Sequence, residues 1–121
     1  MSPMSETEVM RKALLETTGE VTLLRNNVGA YKKADGSWLK YGVGGKGGSD
    51  TIGFVSKVVT QAMVGERIAI FTAVEFKAPG PDHTDPDRLA AQEAFVQAVV
   101  DAGGLGGFAR STEDVRDIIA C

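Results

Sequence analysis

The chain has 121 residues, with 13 Lys and Arg against 16 Asp and Glu, a net charge of −3, 43% hydrophobic residues and one cysteine. Length and apolar content fit one globular domain over residues 1–121, and no run of about 18 apolar residues predicts a membrane span. Cys121 alone excludes an intrachain disulfide framework and a cysteine metal site.

At the N-terminus, Met1-Ser2-Pro3-Met4-Ser5-Glu6 lacks the basic and apolar regions of a signal peptide, so a cytoplasmic location is expected. Ser5-Glu6-Thr7-Glu8 reads as a capping box, followed by a helix whose Val9, Met10, Ala13 and Leu14 share a face, stopping near Gly19. Val21–Asn27 is strand-like; Asp35-Gly36 signals a turn, with Trp38–Tyr41 as a returning strand.

Gly42–Ser49 holds five glycines in eight residues and predicts a flexible loop through which backbone can approach a ligand. It is not a phosphate-binding P-loop, because Lys46 is followed by Gly47 rather than Ser or Thr. Strands are predicted over 51–60 and 67–76, the second apolar on both faces and therefore central. A helix begins at Thr84-Asp85-Pro86 and runs to about Ala102, a short strand spans 107–110, and Ser111 caps a last helix that buries Val115, Ile118 and Ile119. The expected fold is α/β, one mixed β-sheet flanked by helices in the order α-β-β-β-β-α-β-α.

Charge is unevenly spread. Arg25, Lys32, Lys33, Lys40 and Lys46 are opposed within their segment only by Asp35, a pattern suited to a polyanion. An ordinary solvated hairpin explains the same lysines equally well.

Three features carry potential chemistry. Glu75 and Lys77 end an otherwise apolar strand, and the two-residue period puts them on one side, with Phe76 on the other. Burying such a pair without purpose is costly. Asp50 follows the glycine loop, where a carboxylate could join Glu75 as hard oxygen ligands for Mg²⁺ and support phosphodiester hydrolysis. Gln92 lies in the apolar stripe with Phe95, Val96 and Val99, where a buried amide needs partners. Glu8 is explained by its capping role. His83, alone in a Pro- and Asp-rich loop, is read as a surface residue.

Arg25-Asn26-Asn27-Val28-Gly29, Gly47-Gly48-Ser49-Asp50, Val74-Glu75-Phe76-Lys77 and Gln92-Glu93-Ala94-Phe95, in that order, resemble the VRR-NUC domain, the virus-type replication-repair branch of the PD-(D/E)xK nucleases. Ala102-Gly103-Gly104 and Ala109–Val115 extend the likeness over nearly the whole chain. The resemblance implies a restriction-endonuclease-like core, with Asp50 and Glu75 as metal ligands and the Phe76 carbonyl as a further one. It also implies Lys77 as the catalytic lysine, Gln92 as the helix residue of the motif, and a first-helix glutamate, Glu8 or alternatively Glu6, in the site. Ser49 stands where the superfamily motif has proline. By the same resemblance the chain is expected to be a homodimeric, Mg²⁺- or Mn²⁺-dependent endonuclease of branched DNA such as four-way junctions, working in a bacterial or phage-infected cell. Arg25, Asn26, Asn27, Lys32, Lys33, Lys40, Lys46 and Ser49 would contact the DNA. The alternatives are a non-catalytic nucleic-acid-binding module and a phage structural protein of the same fold.

Overall fold

The computed structural model describes residues 4–120, arranged in two compact units, Met1–Val55 and Ser56–Cys121. Among the described residues the chain is α/β, with small antiparallel and parallel sheets and three α-helices. Among the described residues no helix is long and apolar enough to cross a membrane.

The first unit opens with α1 (Glu6–Glu16), nucleated by the expected capping box. The Glu8 N–H donates to Ser5 Oγ at 3.2 Å, and the Ser5 N–H donates to Glu8 Oε2 at 3.0 Å, so two otherwise orphaned donors are satisfied reciprocally. The chain leaves the helix at Thr17 and turns at Gly19, whose φ of 87° is a left-handed value that glycine adopts without steric cost. Of the face expected to be buried, Met10 and Leu14 are half-covered, while Val9 and Ala13 are exposed. The strands of this unit form two narrow ladders and offer the helix no broad sheet.

Those ladders join β1 (Thr22–Arg25) to β4 (Thr51–Phe54), and β2 (Gly29–Lys32) to β3 (Trp38–Tyr41), both antiparallel. The returning strand β3 therefore pairs with β2, an element the sequence reading lacked. The observed order is α-β-β-β-β-β-α-β-α. Gly29-Ala30-Tyr31-Lys32 has no apolar alternation and is largely exposed, so periodicity gave no sign of it. The turn at Asp35-Gly36 forms as expected: the Ser37 N–H and hydroxyl both donate to Asp35 Oδ1, at 2.9 and 2.6 Å, and Gly36 has φ 89°.

The second unit is a β-α-β crossover. Here β5 (Thr72–Phe76) and β6 (Leu105–Ala109) run parallel, joined through α2 (Pro86–Asp101), and α3 (Thr112–Ile119) follows. Asp85 caps α2 by accepting from the Arg88 N–H, Pro86 takes the first turn, and Gly103 turns the chain out with φ 102°. Glycines in β6 let both helices close on the strand. A Cβ at Gly106 would sit 3.1 Å from Val96 of α2, and one at Gly107 would sit 2.9 Å from Ile118 of α3. The core lies here, around Val99 at 1% exposure and Ala109 at 0%.

Four further expectations change. Among the described residues the strands pair as three two-stranded sheets rather than as one mixed sheet. The strand expected over 51–60 ends at Phe54, and Gln61–Met63 is a 3-10 turn. The strand expected over 67–76 begins only at Thr72, because its partner β6 begins at Leu105, directly after the Gly103-Gly104 turn. Nor is that strand covered on both faces, since Phe76 is 68% exposed.

Val99→Ala, at the best-packed position, is expected to lower stability by about 2 kcal/mol by deleting buried methyl groups, read as a lower denaturant midpoint at unchanged slope.

Candidate active site

The parallel ladder sets its charged residues at the carboxyl end of β5, the end at which α/β crossovers commonly bind ligands. Glu75 is the fourth residue of β5, and Lys77 follows the strand, its N–H donating to the Ala109 carbonyl at 2.9 Å to extend the ladder by one bond. The two side chains share one side, as the two-residue period requires, and Phe76 projects away.

Four groups gather on the Lys77 ammonium. It donates to Gln92 Oε1 at 2.7 Å and to Thr84 Oγ1 at 2.8 Å, and stands 3.6 Å from Asp82 Oδ2 and 3.9 Å from Glu75 Oε1. The Phe108 ring centroid lies 5.7 Å away, within cation–π range. The Lys77 side chain is only 8% exposed, so this company is what makes its burial tolerable.

Gln92 works with both ends of its amide. While Oε1 accepts from Lys77, Nε2 donates to Glu75 Oε1 at 3.0 Å. The polar break in the stripe of α2 is thus the bridge between the two charged residues of β5, and the need for partners inferred from its position is met. The Glu75 side chain is 37% exposed, and among the described residues its Oε2 has no recorded protein partner. Glu75 also lines a groove of about 520 Å³ between β5 and α2, together with Gln92, Arg88, Phe71, Ala91 and Phe95.

Asp82 and Thr84 belong to the site, and the sequence reading passed over them. Asp82 Oδ1 accepts from the Thr84 N–H at 2.9 Å and from its hydroxyl at 2.5 Å, a local turn just ahead of the Asp85 cap. The same hydroxyl accepts from Lys77. Arg110 ties down the first half of this loop, donating from Nη1 to the carbonyls of Ala78 at 2.6 Å and Gly80 at 3.0 Å. The Asp-x-Thr turn could have been read from the sequence, but its contact with Lys77 depends on the tertiary path. His83, between them, is exposed, as expected.

The remaining predicted residues belong to the first unit. Asn26 spends its whole amide on the glycine-rich loop. Its Nδ2 donates to the carbonyls of Val43 and Ser49, at 2.8 and 3.0 Å, and its Oδ1 accepts from the Val43 N–H at 2.9 Å. The loop is therefore pinned at both ends and contains a 3-10 turn, Gly45–Gly47, rather than being wholly irregular. Asp50 is exposed just before β4, its carbonyl accepting from the Asn26 N–H at 2.8 Å. The Ser49 hydroxyl donates to the Thr51 carbonyl. Arg25, opposite Thr51 in the ladder, and Asn27, Lys32, Lys33, Lys40 and Lys46 are exposed. Glu8 is exposed and holds the capping box, and Glu6 opens α1. Among the described residues, no three His, Cys, Asp or Glu side chains form a group able to hold a metal ion.

No family model matches this chain, and neither a curated protein nor a solved structure is detectably similar to it.

The Thr84 hydroxyl, then its N–H, then the Lys77 charge hold Asp82 below the ordinary aspartate value of 3.8. With the folded value depressed, the contribution of Asp82 to stability is complete above that ordinary value and is lost as pH falls through the lowered one. The Thr84 amide resonance should therefore titrate with a midpoint below 3.8. Thr84→Val, which removes the largest cause, should raise that midpoint, as followed by two-dimensional NMR.

Proposed function

We propose that the chain is a metal-dependent DNA endonuclease of the VRR-NUC type within the PD-(D/E)xK nucleases, hydrolysing phosphodiester bonds. The observation that carries this reading is the Glu75–Gln92–Lys77 chain: a strand-borne Glu-x-Lys closed by a glutamine from the following helix. In this reading Lys77 touches the scissile phosphate. Gln92 and Thr84 fix its ammonium, so its charge is oriented before the transition state accumulates negative charge.

The metal ligands of this reading are the carboxylates of Asp50 and Glu75 with the Phe76 carbonyl, an all-oxygen set suited to Mg²⁺ or Mn²⁺. The 37% exposure of the Glu75 side chain and its place in the lining of the groove fit that assignment. When bound, the cation supplies Lewis acidity to the attacking water and the phosphate. The preferred substrate is branched DNA, and a two-fold homodimer matches a junction that presents two equivalent strands.

Incubation of the full chain with four-way, flapped and linear DNA tests the reading. Cleavage is expected in Mg²⁺ or Mn²⁺ and none in EDTA. Asp50→Ala, Glu75→Ala and Lys77→Ala should each reduce it by about 100-fold or more while remaining folded. A folded Lys77→Ala protein that cuts at the wild-type rate would refute the assignment.

Glu8 separates two roles. If it also serves the metal site, Glu8→Gln should lower metal-dependent cleavage while keeping the capping box, since glutamine serves equally at that helix position. If it serves the helix alone, Glu8→Ala should cost about 1 kcal/mol of stability and leave cleavage per folded molecule unchanged. Calorimetric metal titration of Glu8→Gln distinguishes the two.

A further inference from the structure

The β2–β3 hairpin has two unlike faces. In its register Gly29 lies opposite Tyr41, Ala30 opposite Lys40, Tyr31 opposite Leu39, and Lys32 opposite Trp38. Residues directly opposite project to the same side, so one face carries Tyr31, Leu39 and Tyr41 and the other carries Lys32, Trp38 and Lys40.

The tyrosine face is engaged with itself. Tyr41 lies across Gly29, where a Cβ would collide with its ring, and the Tyr31 and Tyr41 rings are 6.5 Å apart at 39°. Trp38 is different. It is 65% exposed, against 53% for Tyr31 and 48% for Tyr41, among the described residues no ring pairs with it, and its diagonal neighbour Ala30 is too small to shield it. Lys32 stands directly across from it and Lys40 two residues along the same strand, both exposed. The single acid of the segment, Asp35, is turned into the hairpin tip by both hydrogen bonds from Ser37.

We propose that this face binds single-stranded DNA, with Trp38 stacking on an unpaired base and Lys32 and Lys40 contacting the flanking phosphates. An indole exposed between two ammonium groups supplies the two elements of single-strand recognition, a stacking platform and backbone neutralisation. Charge complementarity favours this occupant: in a chain of net charge −3, five of the 13 Lys and Arg residues fall between Arg25 and Lys46, against one acid. An apolar protein face would leave both lysines to be desolvated without counter-charges. The inference deepens the nuclease reading and rests on it for the choice of DNA, since junctions and flaps are where duplexes expose unpaired bases. The surface shares no residue with the Glu75–Gln92–Lys77 chain, so binding and cutting can be measured separately.

Trp38 is the only tryptophan, so intrinsic fluorescence reports this position alone. Titrating the full chain, in EDTA to prevent cleavage, with an oligothymidylate should quench the emission, and blunt duplex of equal length should quench it far less. By anisotropy with a labelled oligothymidylate, Trp38→Ala should bind roughly 5- to 100-fold more weakly, while Trp38→Phe, which keeps a stacking ring, should stay within about threefold of wild type. Lys40→Gln should lower the salt dependence of binding by about one phosphate contact. Circular dichroism checks that each variant is folded.

Binding without quenching, or a folded Trp38→Ala of wild-type affinity, would overturn the proposal. So would emission that shifts with protein concentration and ignores DNA, which would mean that a second copy covers the face, and so would tighter binding of oligouridylate than of oligothymidylate. Quenching by oligothymidylate with no cleavage in any metal would leave this surface standing and remove the nuclease reading. Cleavage without quenching would do the reverse.

Discussion

A lysine ammonium withdrawn from water must be surrounded by groups that replace its hydration, and the second unit is organised around that requirement. Each of the three N–H bonds of Lys77 has an acceptor within reach: the Gln92 amide, the Thr84 hydroxyl, and the carboxylates of Asp82 and Glu75. These partners come from the strand, the following loop and the crossover helix. Satisfying one charge therefore fixes the mutual placement of all three. A neutral residue at position 77 would leave Gln92 and Thr84 with unused acceptors and two carboxylates without their cation, so the cost of losing it is shared by the whole neighbourhood.

Positioning follows from small residues as much as from polar ones. Gly106 and Gly107 bring α2 and α3 close to β6, and that approach sets the depth at which Gln92 meets the end of β5. Arg110, just beyond β6, fastens the near half of the site loop through the carbonyls of Ala78 and Gly80, leaving the far half to Asp82 and Thr84. Packing in the strand and hydrogen bonding in the loop thus meet at the same few atoms.

Much of this was legible in the sequence where the signal is local. The Ser5–Glu8 capping box, the Asp35-Gly36 turn, the Asp85-Pro86 helix start and the Ser111 cap are short-range patterns, and each is formed. The facing of Glu75 with Lys77 followed from strand period alone, and the need of Gln92 for partners from a polar residue in an apolar stripe; that those partners are Lys77 and Glu75 came from the tertiary path. What was not legible depended on partners distant in sequence. β2 lacks alternation and exists because β3 pairs with it; β5 is short because β6 is short. Asn26 gave no hint that its amide closes the glycine-rich loop, and Thr84 read only as part of a helix start until the chain path brought Lys77 to it.

The parallel register of β5 and β6 also has a kinetic meaning. Thr72 meets Leu105 and Phe76 meets Ala109, every pair thirty-three residues apart, so no part of that ladder can form as a local hairpin. The β2–β3 pair closes over a five-residue connection and needs no other element to begin. Closing the longer loop has the larger entropic cost before any contact rewards it. The order of events during folding is therefore built into the connectivity: the aromatic hairpin can form while the chain is still largely open, and the lysine-centred cluster assembles only after the crossover helix has returned the chain to its partner strand.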